Sequence, residues 1–215
     1  MFSSGSAPTA ERSCYKGWVG KGEETRSGIL SAAGQVAGQV GLDGLTIGGL
    51  AARTGLSKSG LFAHFGSKEE LQLQVHAHNV ERFTAEVIRP ALRAPRGVPR
   101  VRALFEGWLA WAAAPGGCPL LAASFEFDDR PGPLRDRLVQ DQRDWLDTIA
   151  MVVTSGIGEG HFRPDLDPRQ FAQDLEGVML AFHLASRLLQ DPEAATRTRR
   201  SLETLLAAAG RPTTD

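Results

Sequence analysis

Hydrophobic residues recur at three- and four-residue spacing along most of the chain, the period of an amphipathic helix. Ile29, Leu30, Ala33, Val36, Ala37 and Val40 make the first stripe, with Thr25 placed to cap it and Gly41 to stop it. Thr46 caps a short second run in which Ile47, Leu50 and Ala51 face one way, ended by Thr54-Gly55. Ser57 opens a third over 57–65, striped by Leu61, Phe62 and Phe65. Ser67-Lys68-Glu69-Glu70 has the S-x-x-E form of a capping box and predicts a long helix to about residue 89, ended by Pro90 and Pro95.

Val101, Leu104, Phe105, Trp108, Leu109, Trp111 and Ala112 then form a broad apolar face, closed by Pro115-Gly116-Gly117. A shorter apolar helix is expected over 120–127 and a long one over about 133–156, where Leu134, Leu138, Trp145, Leu146, Ile149, Val152 and Val153 repeat. Asp167-Pro168 and Asp191-Pro192 each pair an N-cap with a proline in the first helical position, which predicts helices over 168–189 and 192–209. Alternating β-branched runs and hairpin signals are missing, so the chain reads as all-α with about nine helices. Residues 1–24 are rich in Gly and Ser without periodicity and are expected to be a disordered arm; 210–215 are expected to be a flexible C-terminus.

At 215 residues the chain can bury a core without a disulfide framework or structural metal. Cys14 and Cys118 belong to no C-x-x-C pair or zinc-spaced set, so neither a metal nor a cofactor is expected, and a reducing cytoplasm is the default location. No stretch has the length and apolarity of a membrane span, and no membrane partner is expected. Nucleophile elbows, phosphate-binding glycine loops and His-Glu-x-x-His motifs are missing, which speaks against an enzyme. The net charge is −1, yet 25–68 holds Arg26, Arg53, Lys58 and Lys68 against Asp43 alone, a +3 segment on an acidic remainder. Such a basic head suits contact with phosphates.

Two short helices joined by Thr54-Gly55-Leu56-Ser57 have the form of a helix-turn-helix. Over 25–71 the chain resembles the TetR-type (TetR/AcrR) one-component transcriptional regulators. The likeness is carried by Ile47 and Leu50-Ala51, by Thr54-Gly55-Leu56-Ser57-Lys58-Ser59 in the turn, by Leu61-Phe62-Ala63-His64-Phe65 and by Ser67-Lys68-Glu69-Glu70-Leu71. The resemblance implies a DNA-binding domain over 25–70 and an effector-binding and dimerisation domain over 71–209. It points to Thr46 as a phosphate contact, to Ser57, Lys58, Ser59 and Gly60 as base and phosphate contacts, and to His64 and Lys68 as grips on flanking phosphates. Phe62 stands where the family commonly has Tyr; lacking that hydroxyl, it is expected to pack, with the grip leaning on His64 and Lys68.

For the body, the resemblance implies a pocket for an apolar or aromatic effector, with Phe105, Trp108, Trp111, Cys118, Phe125, Trp145, Met179 and His183 as candidate walls and Glu126 or His183 as a possible orienting group. Taken singly, these are first of all core residues, and Cys118 is first an inert buried thiol rather than a sensor. The last two helices are expected to form a four-helix homodimer interface through Leu175, Val178, Leu184, Leu188, Leu202 and Leu205. The partners implied are double-stranded operator DNA, a second copy of the chain and a small effector. The default is a repressor that binds a palindromic operator and is released by ligand. The alternative is a helical protein-interaction module, which would show no DNA affinity.

Overall fold

A computed structural model describes residues 14–210 of the chain. Among them are nine helices: α1 (Cys14–Val40), α2 (Ile47–Thr54), α3 (Lys58–Phe65), α4 (Lys68–Phe83), α5 (Val98–Ala113), α6 (Pro119–Phe127), α7 (Pro133–Gly158), α8 (Pro168–His183) and α9 (Ala194–Ala209). Among the described residues strand-like pairing is limited to a single antiparallel bridge between Phe162 and Gly210. The tail expected over 210–215 is therefore paired at its first residue, and the rest of it lies outside the described residues.

The short head helices form where local rules say they should. Thr46, Ser57 and Ser67 each accept a bond from the backbone N–H three residues on, Gly49, Gly60 and Glu70, at 3.0 Å. Gly55 ends α2 with φ 71°, a left-handed conformation that costs a side chain dearly and glycine nothing. Only half of the expected capping box closes, because the Glu70 carboxylate accepts from Gln74 instead.

Three boundaries depart from the sequence pattern, and the helix expected over 168–189 reaches its end only through a π-turn, Leu184–Leu188, after α8. α1 starts at Cys14, so Thr25 lies inside the helix rather than capping it, and 14–24 are not the arm expected there; residues 1–13 of that arm lie outside the described residues. Once the amphipathic turns from Ile29 onward are packed, extending the helix costs little per residue. α4 does not end at residue 89. It passes through a π-turn, Thr84–Ile88, into a last turn, Arg89–Leu92, that contains Pro90. The Arg89 N–H bonds the Thr84 carbonyl five residues back, and this wider turn accommodates the ring that would clash in a regular helix. Asp191 accepts from the Glu193 N–H within a turn, and α9 starts at Ala194 rather than at Pro192.

Two hydrophobic cores result. The body core gathers α5, α7, α8 and α9 around Phe105, Leu109, Ile149, Val153, Leu175 and Met179. The head core is built on Ala33, Leu45, Leu50, Leu61, Phe65 and Leu71, and it also takes in Ala123 and Phe127 of α6 and Leu134 and Leu138 of α7. The head is thus not a free bead. It shares its interior with two body helices, and Gln72 of α4 bonds the Leu42 carbonyl at 2.9 Å to fix the approach to α2.

Candidate DNA-binding face and ligand cavity

α3 buries Leu61 and Phe65, four residues apart, and turns the rest of its surface outward. Ser57, Lys58, Ser59, Phe62 and His64 are exposed, and Gly60 is half-buried. The Ser57 and Ser59 hydroxyls lie 3.2 Å apart, so the first turn of α3 presents hydroxyls and a cation together. The Lys58 stem lies over Gly48 of α2, where a Cβ would meet its Cε at 3.5 Å, which sets the Lys58 ammonium beside the helix capped by Thr46. The two helix N-termini and one cation form a surface suited to phosphate.

Two expectations change. Phe62 does not pack: it is 58% exposed, because it sits one residue step around α3 from the buried Leu61–Phe65 line. Lys68 is exposed but engaged, with its ammonium 3.2 Å from Asp43. Asp43 also meets Arg130 at 2.9 Å, and its backbone N–H donates to Glu126 at 2.7 Å. Glu126 therefore serves the joint between head and body rather than an effector. Arg130 first, and Lys68 beside it, hold the Asp43 carboxyl below its ordinary value.

A cavity of about 380 Å3 lies within the body, bounded by α4 through α8. Of the residues expected to wall it, Trp108, Cys118, Trp145 and Met179 do so. Phe105 is fully buried in the core behind it, and Trp111 faces a separate cleft toward α1. Phe125 is 58% exposed and pairs with His183 outside the cavity, their rings 6.4 Å apart. Burial pushes the Cys118 thiol up from its ordinary value, which favours its protonated form.

The sequence reading missed the polar part of this cavity. His76 of α4 meets Asp141 of α7 at 2.8 Å, and Arg137 meets the same oxygen at 2.8 Å. Glu176 of α8 accepts from Trp145 Nε1 at 2.9 Å and from Gln142 at 3.0 Å. The two carboxyls answer differently. Burial raises Asp141, but the bonds from His76 and Arg137 outweigh it and hold the group below its ordinary value. Burial dominates at Glu176, whose two neutral donors do not offset it, and its carboxyl is pushed up. His76, Asp141 and Glu176 come from helices far apart in the chain, and only the pairing of helices could have united them. Thr84 and Ile88 also line the cavity, so the π-turn of α4 is part of its wall.

The expected interface residues divide. Leu175 and Leu202 are buried in the protomer's own core, Val178 and Leu205 are half-buried, and Leu184 and Leu188 are 52% and 72% exposed. Leu180 and Leu189 extend this exposed stripe. Among the described residues no cluster of His, Cys, Asp and Glu could hold a metal ion, and no helix is long and apolar enough to cross a membrane.

Comparison with known proteins gives two family matches. "Bacterial regulatory proteins, tetR family" matches residues 29–75, and "Tetracyclin repressor-like, C-terminal domain" matches 97–202. Together they span well over half of the chain. No curated protein matches it. Among solved structures, a TetR transcriptional regulator from Chloroflexus aurantiacus is 29% identical with a TM-score of 0.77, over 87% of this chain and 94% of that one. A putative transcriptional regulator from Saccharomonospora viridis, in complex with choline, shares the fold at 20% identity and a TM-score of 0.76, over 89% and 100% of the two chains. AibR, in complex with isovaleryl coenzyme A and operator DNA, shares it at 18% identity and a TM-score of 0.64, over 86% and 97%.

Proposed function

The chain belongs to the TetR family of bacterial transcriptional regulators, and from that premise we propose that it is a ligand-released repressor that binds a palindromic operator as a homodimer. Its family is one of transcription factors, not enzymes. The observation that carries the reading is α4. Its start, at Lys68, stands at the DNA-facing head, and from its middle onward it supplies His76, Phe83, Thr84 and Ile88 to the cavity. One rigid element thus touches both sites.

In this reading Thr46, Ser57, Lys58, Ser59 and Gly60 meet DNA, with His64 and Lys68 on flanking phosphates. Lys68 exchanges Asp43 for a phosphate when DNA binds, and Asp43 keeps Arg130. Phe62 offers DNA an apolar ring. Leu180, Leu184, Leu188 and Leu189 form the apolar stripe on which two copies meet, so that two recognition helices face two half-sites in the cytoplasm. An effector in the cavity favours a position of α4 in which the heads no longer match the groove spacing. By linkage DNA then weakens the effector to the same degree. Relatives of the same fold bind choline and isovaleryl coenzyme A, which supports a ligand role for the body.

The test is the salt dependence of binding to duplexes drawn from the DNA flanking the gene, against a scrambled duplex. The expected outcome is preference for a palindromic stretch, two subunits per site and a slope reflecting several phosphate contacts. Lys58→Ala should weaken that binding by about 1–3 kcal/mol if the ammonium reads a base, or flatten the salt slope by about one unit if it meets phosphate. Equal binding to the scrambled duplex at every salt concentration refutes the reading and favours a protein-interaction module.

A further inference from the structure

We propose that the cavity takes an organic ammonium ion with an apolar body, and that Glu176 is its counter-charge; this rests on the reading of the cavity as the effector site. The argument begins with the charges that face it. α4 contributes His76, α7 contributes Arg137, Asp141 and Asp144, α8 contributes Glu176, and the thiol of Cys118 is neutral. Arg137, the permanent cation among these, is paired with Asp141 at 2.8 Å, and His76 bonds the same carboxylate. That cluster answers its own charge and has little left for a ligand anion.

Glu176 is different. Both groups that hold it, the Trp145 indole and the Gln142 amide, are neutral donors. They fix the carboxylate in one orientation without cancelling its charge. Burial against that charge pushes its carboxyl up, as expected for an anion withdrawn from water without a cation beside it. Asp144, exposed at the cavity's edge, has its carboxylate bonded by the Gln140 amide at 2.8 Å and adds a negative charge on the way in.

The remaining walls suit the rest of such a ligand. Phe83, Trp108 and Trp145 line the cavity, with Phe83 and Trp145 edge to face at 5.2 Å between ring centres. Aromatic faces attract cations as well as apolar groups, most strongly where water is excluded. A volume of about 380 Å3 lies at the small end of the range for compact organic ligands. An organic anion would meet Glu176 and Asp144 without a free cation to balance it, and a neutral apolar ligand would leave Glu176 without a counter-charge.

The test uses the full-length chain at neutral pH and three probes of similar shape: phenethylammonium, 2-phenylethanol and phenylacetate. Trp108 and Trp145 report binding by their fluorescence, and calorimetry confirms it. The ammonium should bind at least about tenfold more tightly than the alcohol, with the carboxylate weakest. In Glu176→Gln the gap between ammonium and alcohol should close to within about twofold. Glu176→Asp, which keeps the charge, should retain the preference, and the ordering in the unaltered chain stands whether or not a variant folds. Equal or tighter binding of the alcohol or carboxylate overturns the proposal. So does a preference that survives in Glu176→Gln, and so does binding of none of the three. Release of DNA is scored separately. Ammonium selectivity without release refutes the effector reading and keeps the ligand class, whereas release driven by the alcohol or carboxylate alone does the reverse.

Discussion

In the head, the residues proposed to meet DNA lie within one short stretch from Thr46 to Lys68, and they stand on the surface. In the body, the cavity draws on five helices from His76 to Met179, and His76 and Asp141 among its polar groups are largely withdrawn from water. The head's groups face solvent. The body's carboxyls depend on their neighbours: Arg137 and His76 compensate Asp141, whereas Glu176 has only two neutral donors. A surface site is therefore defined by local geometry, and a cavity by which helices happen to meet. The two are joined by a shared core, because Ala123, Phe127, Leu134 and Leu138 of the body pack among the head's own residues.

The largest expected effect would test that joint. Phe65 is 2% exposed at the centre of the head core, and Phe65→Ala should cost about 3–5 kcal/mol. Because the core is shared, loss of helicity and the change in tryptophan fluorescence, read in a variant that keeps Trp145 alone, should move together in a denaturant titration. A head that melts first, with the fluorescence unmoved, would show two separable units and break the comparison.

Next in size is the body's compensated carboxylate. Asp141→Asn should cost about 1–3 kcal/mol, since it weakens two charge-assisted bonds in a side chain that is 14% exposed. The sign with pH follows from its lowered folded-state value. The stabilisation is fully present above the ordinary aspartate range near 3.8 and is lost as pH falls through the lower folded value. The unaltered chain should therefore lose stability in acid by more than the variant does. Parallel curves down to about pH 2 would remove Asp141 from the account.

How much was legible in the sequence follows the same division. Thr46, Ser57 and Ser67 act over three residues, so their caps and the turn at Gly55 could be read directly, as could the all-helical architecture. The start of α1 could not, because Thr25 is a good cap that packing made unnecessary. Pro90 reads as a helix end, yet the π-turn absorbs it. In the cavity, aromatic residues on the right helices were read as walls, but periodicity does not say which side of a buried helix a ring faces. Trp108 and Trp145 face in, whereas Phe105, Trp111 and Phe125 do not. The pairing of His76 with Asp141 spans 65 positions, beyond the reach of any spacing rule.

A smaller effect sharpens the head's side of the comparison. Ser57→Ala removes the cap bond to Gly60 and should cost about 1 kcal/mol of stability. In the proposed reading it costs DNA affinity as well, because the same hydroxyl lies on the DNA-facing turn. Measured against Ser67→Ala, which removes an equivalent cap from α4, the difference in affinity isolates contact from capping. Equal losses of affinity in the two variants would mean that Ser57 acts only through the helix.

The smallest effect has the opposite sign, and it bears on the body's uncompensated charge. Glu176→Gln keeps a carbonyl for one of the two donors and removes a charge that burial opposes. The folded-state value of Glu176 is raised, so its favourable contribution is present below the ordinary glutamate range and is lost as pH rises through the folded value. The unaltered chain and the variant should thus be alike in acid, and the variant should be the more stable at neutral pH, as read from melting curves without ligand. Saturating phenethylammonium should reverse the order, because the cation supplies what the empty cavity lacks and the variant has lost the group that receives it. A variant less stable than the parent at neutral pH without ligand would mean that Glu176 is a structural hydrogen-bond acceptor in the body, as compensated in its way as Asp141.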